Sequence, residues 1–241
     1  MKISVISTTY NSEKYLVENL KALKSQTYQN YEHIIFDSCS TDNTVKILKK
    51  FQDHRTKLFV EKDNGIFFGL NKCLDNVTGD LIFLYCSDDT IKNKNLFYEI
   101  SKVYESRSDV ISTDVNIVSE KTNNIVRRWE APKKLSHIIL PAHTGLFIGS
   151  YFKKFNFDTK YKISSDFKYL RKIFKDNNIN YKFLNIHSVD QRDGGNSTKY
   201  SNQLKKMTED IKILNEDSLF SIFLYPIKII YKLTQFRWKI K

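Results

Sequence analysis

Apolar residues in the first third of this chain fall into short unbroken runs, separated by segments in which they recur every three or four positions. Residues 2–8, 31–36, 57–60 and 81–85 are such runs, rich in Val, Ile, Leu and Phe and of strand length. Between them, residues 12–26 place Tyr15, Leu16, Leu20 and Leu23 at helical spacing behind a Ser cap, with Glu13 in the first turn. Residues 41–51 repeat the pattern with Val45, Leu48 and Phe51, and residues 65–77 form a third helical segment. The order βαβαβαβ predicts an α/β fold with a mostly parallel sheet flanked by helices, because a right-handed crossover needs a helix to return the chain.

The second half is less regular. Residues 110–118 and 125–129 read as strands joined by a polar turn, 165–174 as a helix and 181–186 as a strand. A tight loop at 193–197 leads into a helix from about Tyr200 to Leu214. No boundary is visible before about residue 217, so the expected organisation is one domain over 1–217, with halves 1–90 and 91–217, followed by a tail at 218–241.

Ligands of parallel sheets bind beyond the carboxyl ends of the strands, so useful polar groups should cluster there. They do: the four exits read Thr8-Thr9-Tyr10-Asn11, Asp37-Ser38-Cys39-Ser40-Thr41-Asp42, Glu61-Lys62-Asp63-Asn64-Gly65 and Ser87-Asp88-Asp89. Asp is a favoured helix cap, but two adjacent carboxylates at a buried strand's exit also suit a hard divalent cation and, through it, a phosphate-bearing substrate. Four polar exits on one edge favour the metal.

Composition narrows the class. The 241 residues are 41% hydrophobic and 14% aromatic, with only 7 Gly and 3 Pro, which excludes a disordered chain or a long linker. A net charge of +12 asks for an anionic partner. Nucleic acid is not expected, since no zinc-finger, RNP-like or continuous basic motif is present. Three scattered cysteines give no disulfide framework or zinc site, and the amino terminus lacks a signal-peptide apolar core, so a reducing cytoplasm is expected.

Taken in order, Val5-Ile6-Ser7-Thr8-Thr9-Tyr10-Asn11, Asp37-Ser38-Cys39-Ser40-Thr41-Asp42, Asp63-Asn64-Gly65-Ile66, Asn71-Lys72, Thr78-Gly79-Asp80, Ser87-Asp88-Asp89, His143 and Tyr161-Lys162-Ile163-Ser164-Ser165-Asp166 resemble the family 2 nucleotide-sugar glycosyltransferases of GT-A fold, over Lys2 to about Ser197. The resemblance implies inverting transfer of a single sugar from a nucleoside diphosphate sugar, UDP in the first instance. The implied acceptor is a hydroxyl of a polyprenyl diphosphate-linked glycan in O-antigen or capsule synthesis. It also implies roles: Thr8, Tyr10 and Asp37 at the base, Asp63 at the ribose or the base-proximal part of the donor, Lys72 at the diphosphate, Asp88 at the ribose and sugar, and Asp89 as direct ligand of Mn2+ or Mg2+. Asp166 would be the general base and His143 would stand near acceptor or pyrophosphate. Each has a plainer alternative: a turn Asp for Asp37, a solvated lysine for Lys72, a helix cap for Asp166, a structural role for His143. His187 is a weak candidate for an additional metal ligand, and His33 reads as structural.

Two departures stand out. Phe68 occupies a position where many relatives carry Asp, and Gln235-Phe236-Arg237-Trp238 lacks the spacing of the processive members' motif. A sugar nucleotidyltransferase is the enzymatic rival, but it needs a Gly-rich loop where Ser7-Thr8-Thr9-Tyr10-Asn11 has no glycine. A non-catalytic membrane-binding protein of the same fold is the other. In the tail, Ile229, Leu233, Phe236 and Ile240 share a helical face beside a stripe of Lys228, Lys232 and Lys239, interrupting any run long enough to span a bilayer. An interfacial helix at the inner face of the cell membrane is expected, with Tyr231 and Trp238 at headgroup level. Packing on the domain, or pairing in a homodimer, is the alternative.

Overall fold

The computed structural model describes residues 1–104, 109–134, 138–176, 178–194, 200–216 and 223–234. In chain order the elements are β1 (Ile3–Thr9), α1 (Glu13–Lys24), β2 (Tyr31–Asp37), α2 (Thr44–Phe51), β3 (Thr56–Val60), α3 (Ile66–Asp75), β4 (Leu81–Leu84), β5 (Thr90–Ile91) and α4 (Leu96–Val103). They continue as β6 (Val110–Val118), β7 (Ile125–Trp129), β8 (Leu146–Gly149), α5 (Ser165–Phe174), β9 (Tyr181–Arg192), α6 (Tyr200–Asn215) and α7 (Tyr225–Thr234). The strands form one mixed sheet in the order β3-β2-β1-β4-β8-β6-β9-β5, with β7 paired to β6. β1 to β4 are mutually parallel, as expected. β8 then runs antiparallel to both β4 and β6, and β9 lies parallel to β6.

The alternation of each strand supplies two cores. Ile6, Ile34, Phe36 and Ile82 face Leu70, Cys73 and Leu74 of α3 and Leu170 and Ile173 of α5. Val5, Leu81 and Phe83 point the other way, onto Leu23 of α1 and Leu96, Phe97 and Ile100 of α4. Phe83 stacks on Phe147 across the β4–β8 pair at 4.5 Å between ring centroids, with Phe97 edge-on to both. Burial of a Phe side chain contributes about 1.5–3 kcal/mol, so this junction of parallel and antiparallel halves is firmly held.

The edge opposite the strand exits is knotted by a buried acid. Glu32 accepts from Ser4 Oγ (2.6 Å), Thr78 N and Thr78 Oγ1 (both 2.8 Å), and pairs with Lys2 and Lys57. Burial opposes its ionisation, but the Ser4, Thr78 and Lys57 hydrogen bonds prevail and bring its pKa down to about 2. The rigid edge therefore leaves the exit edge free for loops.

Several expectations need revision. β9 runs to Arg192, six residues beyond the expected end, because it pairs with β6 along nearly its whole length. α4, β5 and β8 are additions. In the tail, Lys228 does not join an outward stripe. It donates to Asp210 Oδ2 at 2.7 Å, lies 3.2 Å from the Phe167 ring centroid, and burial brings its pKa down to about 8. Tyr231 donates to Glu130 O and packs edge-on to Trp129. α7 thus packs on the domain through Lys228 and Tyr231. The loop residues Gly195, Asn196 and Ser197 and the tail residues 217–222 and 235–241, including Phe236, Trp238, Lys239 and Ile240, lie outside the described residues. Among the described residues, no helix is long and apolar enough to cross a membrane.

Candidate active site

The exits of β1, β2, β3 and β4 are bound to one another before any ligand is considered. Asn11 and Cys39 both adopt left-handed backbone, at φ 48° and 59°, where the chain turns off β1 and β2. Such turns cost energy for a residue with a side chain and recur at functional sites. Asn11 Oδ1 accepts from Thr41 N at 2.9 Å, and Asn11 N donates to Ser40 Oγ at 2.9 Å, so the two turns hold each other. After β3, Asp63 accepts from Ser38 Oγ (2.6 Å) and from Gly65 N (3.0 Å). Gly65 has φ 122°, which a side chain would oppose, and it opens α3.

These loops border a cleft of about 760 Å³ lined by Thr8, Tyr10, Asp63, Asp88, Lys14 and Arg192 among others. Tyr10 is 62% exposed at its side, a ring free to stack. Five expected residues do not line it: Asp37, Lys72, Asp89 and, in an adjoining group, His143 and Asp166. Asp37 is fully buried, and its carboxylate accepts from Thr9 Oγ1, Ser40 Oγ and Ser40 N, so the turn alternative is the geometry realised. Lys72 stands exposed seven residues past Gly65, about 10 Å along α3 at 1.5 Å per residue, with its ammonium over the Phe68 ring. Phe68 itself turns inward, edge-on to Phe36. Asp89 is the third.

Asp88 lines the cleft, whereas Asp89 lies beneath it, 1% exposed, with neither carboxylate oxygen hydrogen-bonded. The chain places it there because Asn19 of α1 donates to the carbonyls of Cys86 and Asp89. Burial, and then the Asp88 charge, push the Asp89 carboxyl well above the usual carboxylate range; burial raises Asp88 too, opposed by Arg192 and His143. Two adjacent carboxylates, both disfavoured as anions by burial and one of them without a hydrogen-bond donor, fit a cation. No cluster of three or more His, Cys, Asp or Glu able to hold a metal occurs among the described residues. Mg2+ is commonly bound through one or two carboxylates together with substrate phosphates and water, and Asp88 and Asp89 are the residues that would hold it.

A second group adjoins the first. His143 Nδ1 lies 3.3 Å from Asp166 Oδ2, and His143 Nε2 lies 3.9 Å from Cys86 Sγ, two residues before Asp88. Burial disfavours an Asp166 anion, but the His143 hydrogen bond and the charge of Lys206 outweigh it and keep the carboxyl well below its usual range. Asp166, a quarter exposed, is therefore an ionised carboxylate next to the acidic pair. His187 bonds Asp190 and Asn116 instead, and His33 is buried against Ser7.

The sequence reading missed Lys14, Tyr15, Glu120 and Arg192. Lys14 pairs with Glu120 at 2.7 Å, Tyr15 donates to the same carboxylate, and Arg192 lies 3.9 Å over the Tyr15 ring while pairing with Glu18. Sheet topology alone brings these three segments together; no local signal marks them.

A mixed sheet with four parallel strands delivering acids to one cleft is the GT-A architecture. The structure superposes on Staphylococcus aureus TarS in complex with UDP-GlcNAc with a TM-score of 0.72 at 21% identity, over 90% of this chain and 66% of that one. The chain belongs to glycosyl transferase family 2, whose sequence model matches residues 4–196. It is 37% identical over 112 residues to glycosyltransferase GlyG of Streptococcus pneumoniae, which covers 45% of this chain and 37% of GlyG. It is 28% identical over 184 residues to the Escherichia coli UDP-Glc:alpha-D-GlcNAc-diphosphoundecaprenol beta-1,3-glucosyltransferase WfgD, over 73% of this chain and 71% of WfgD. The chain spans about half or less of the length of most of the curated relatives it matches.

Proposed function

We propose that the chain is an inverting glycosyltransferase that moves one sugar from a UDP-sugar to a hydroxyl of a polyprenyl diphosphate-linked glycan in surface polysaccharide synthesis. The observation that carries it is the desolvated Asp88–Asp89 pair, at the exit of a strand whose neighbours bring Thr8 and Asp63 to the same cleft. WfgD, named for a UDP-glucose donor and a diphosphoundecaprenol acceptor, supports this donor and acceptor class.

The cleft residues divide the work. Tyr10 stacks on the base, Thr8 and Asp63 take the nucleoside, and Lys14 and Arg192, two of the three cations of the cleft wall beside Lys62, face the diphosphate in place of Lys72. Asp88 from the cleft side and Asp89 from beneath would hold Mn2+ or Mg2+. When bound, the ion neutralises charge on the departing nucleoside diphosphate. Asp166, kept ionised and aimed by His143, removes the proton of the acceptor hydroxyl as the anomeric carbon is attacked. His143 Nε2, 3.9 Å from Cys86 Sγ, brings the partner of the base beside the loop that carries Asp88.

The test is release of UDP from UDP-glucose or UDP-GlcNAc, with Mn2+ and a lipid-diphosphate GlcNAc acceptor. Metal-dependent release that requires the acceptor is expected; none with any nucleotide sugar sinks the reading. Asp166→Asn should lose most turnover while binding UDP normally, and unchanged turnover removes Asp166 as base.

A further inference from the structure

Asp166 Oδ1 accepts from Phe167 N at 2.8 Å, but the loop ahead of α5 has no side-chain cap of its own. Ser164 occupies the cap position of α5 without making a capping bond, and Ser165 Oγ is buried without a partner. The loop is held instead from α6. Glu209, 8% exposed, accepts three backbone N–H bonds: Oε1 from Lys162 at 3.0 Å, and Oε2 from Ile163 and from Ser164, both at 2.9 Å. Ser164 Oγ donates to Lys206 O one turn earlier on α6, and the Lys206 charge favours the Asp166 anion. A carboxylate that accepts several N–H groups ahead of a helix fixes the backbone there and complements the helix dipole. α6 (Tyr200–Asn215) lies beyond residues 4–196, the span matched by the family.

From this geometry we infer that Glu209 is a positioning residue for the proton transfer. It clamps Lys162-Ile163-Ser164 so that Asp166 meets His143 and the acceptor hydroxyl, and it makes α6 part of the active site without touching substrate. The inference rests on Asp166 acting as the base. A displacement of about 1 Å in such a group costs about 10²-fold in rate, so loss of the clamp should appear in kcat and leave the donor site alone.

The experiment uses the full chain carrying Glu209→Gln, Glu209→Asp, Asp166→Asn, and Glu209→Gln with Asp166→Asn. Each is assayed for UDP release from UDP-glucose and UDP-GlcNAc with the lipid-diphosphate GlcNAc acceptor, and for UDP binding with Mn2+ by calorimetry. Glu209→Gln keeps the shape but turns an amide N–H toward the backbone donors, and Glu209→Asp keeps the charge but falls short. For both, kcat is expected to fall at least tenfold with donor KM and UDP affinity within twofold. The acid limb of the kcat/KM profile should also move to higher pH as Asp166 loses its His143 contact. In the Asp166→Asn background, Glu209→Gln should change residual turnover less than twofold, because the two act as one unit. Wild-type kcat in both Glu209 variants, beside an inactive Asp166→Asn, overturns the inference alone. So does loss of UDP binding, or an equal further drop in the Asp166→Asn background, either of which marks a general structural role. A fully active Asp166→Asn overturns the base assignment itself.

Discussion

Asp89 is a carboxylate that the fold buries without a donor for either oxygen. Burial drives this carboxyl to its neutral form, and a buried polar group without partners still costs free energy, so at a purely structural position another residue type would be cheaper. Asp89→Asn should therefore melt no lower than the parent by calorimetry, yet lose about 10²–10³-fold in metal-dependent UDP release, the loss typical of removing electrostatic stabilisation from an active site. Parent-level activity would show that the acid is not used. His33 makes the opposite case. It is buried in β2, and Ser7 Oγ, which gives its own proton to Tyr85 O, receives the His33 Nε2–H at 2.8 Å. Burial, only partly opposed by the Asp53 charge, brings its pKa down to about 3. The unfolded chain protonates this imidazole below about 6.5 while the folded one does not. Its contribution is present above that pH and is lost as pH falls toward 3. Between pH 6.5 and 4.5 stability should drop by about 1.4 kcal/mol per unit from this group, and urea unfolding of His33→Gln should show that much less slope.

Elements show what a sequence can and cannot reveal. β1, β2 and β4 were legible because strands buried on both faces are continuous apolar runs, and their exits were legible because the ligand edge of a parallel sheet must be polar. β5, with two residues, is too short for any periodic signal, and β8 runs straight out of the short helical turn at His143–Gly145, which masks where it starts. Thr8, Asp63 and Asp88 reached the cleft as strand-exit residues should. Glu120 and Arg192 did so through the β6–β9 pairing, which joins residues some seventy positions apart, and Lys14 did so from α1, while Glu209 holds the loop before Asp166 from a helix beyond the family's span. Lys72 follows a strand-exit motif in sequence, but the rise of α3 carries it away. The α6–α7 contact was hidden because Lys228 sits in a basic stripe by sequence and in an ion pair by structure. Lys228→Ala leaves the Asp210 carboxylate, 3% exposed, without its cation. Breaking a buried pair in this way costs about 3–5 kcal/mol. Because the Lys228 side chain is still 23% exposed, about half that loss is expected in urea unfolding. Lys228→Met together with Asp210→Leu should recover most of it.

At the scale of the whole molecule, the net charge of +12 and the free face of α7 point outward together. α7 spends Lys228 and Tyr231 on the domain, and this leaves Phe223, Ile227, Ile230 and Leu233 exposed on the other side, 44–73% accessible. Residues 218–241 contain five Lys or Arg and no acid. An exposed apolar helical face in a segment of basic sequence suits a bilayer surface rich in anionic lipid, where each cation near the headgroups contributes about 1 kcal/mol. The proposed lipid-linked acceptor would then be met at the surface where it resides. Ile227→Glu with Ile230→Glu alters only exposed positions, so folding and UDP binding should be unchanged. Co-sedimentation with phosphatidylglycerol vesicles should fall at least tenfold, and that of the parent should weaken with added salt as exposed charges are screened. Equal sedimentation of both proteins removes the membrane role of α7. If the parent ignores vesicles but sediments as a dimer, and the double variant as a monomer, the face belongs to a second copy of the chain.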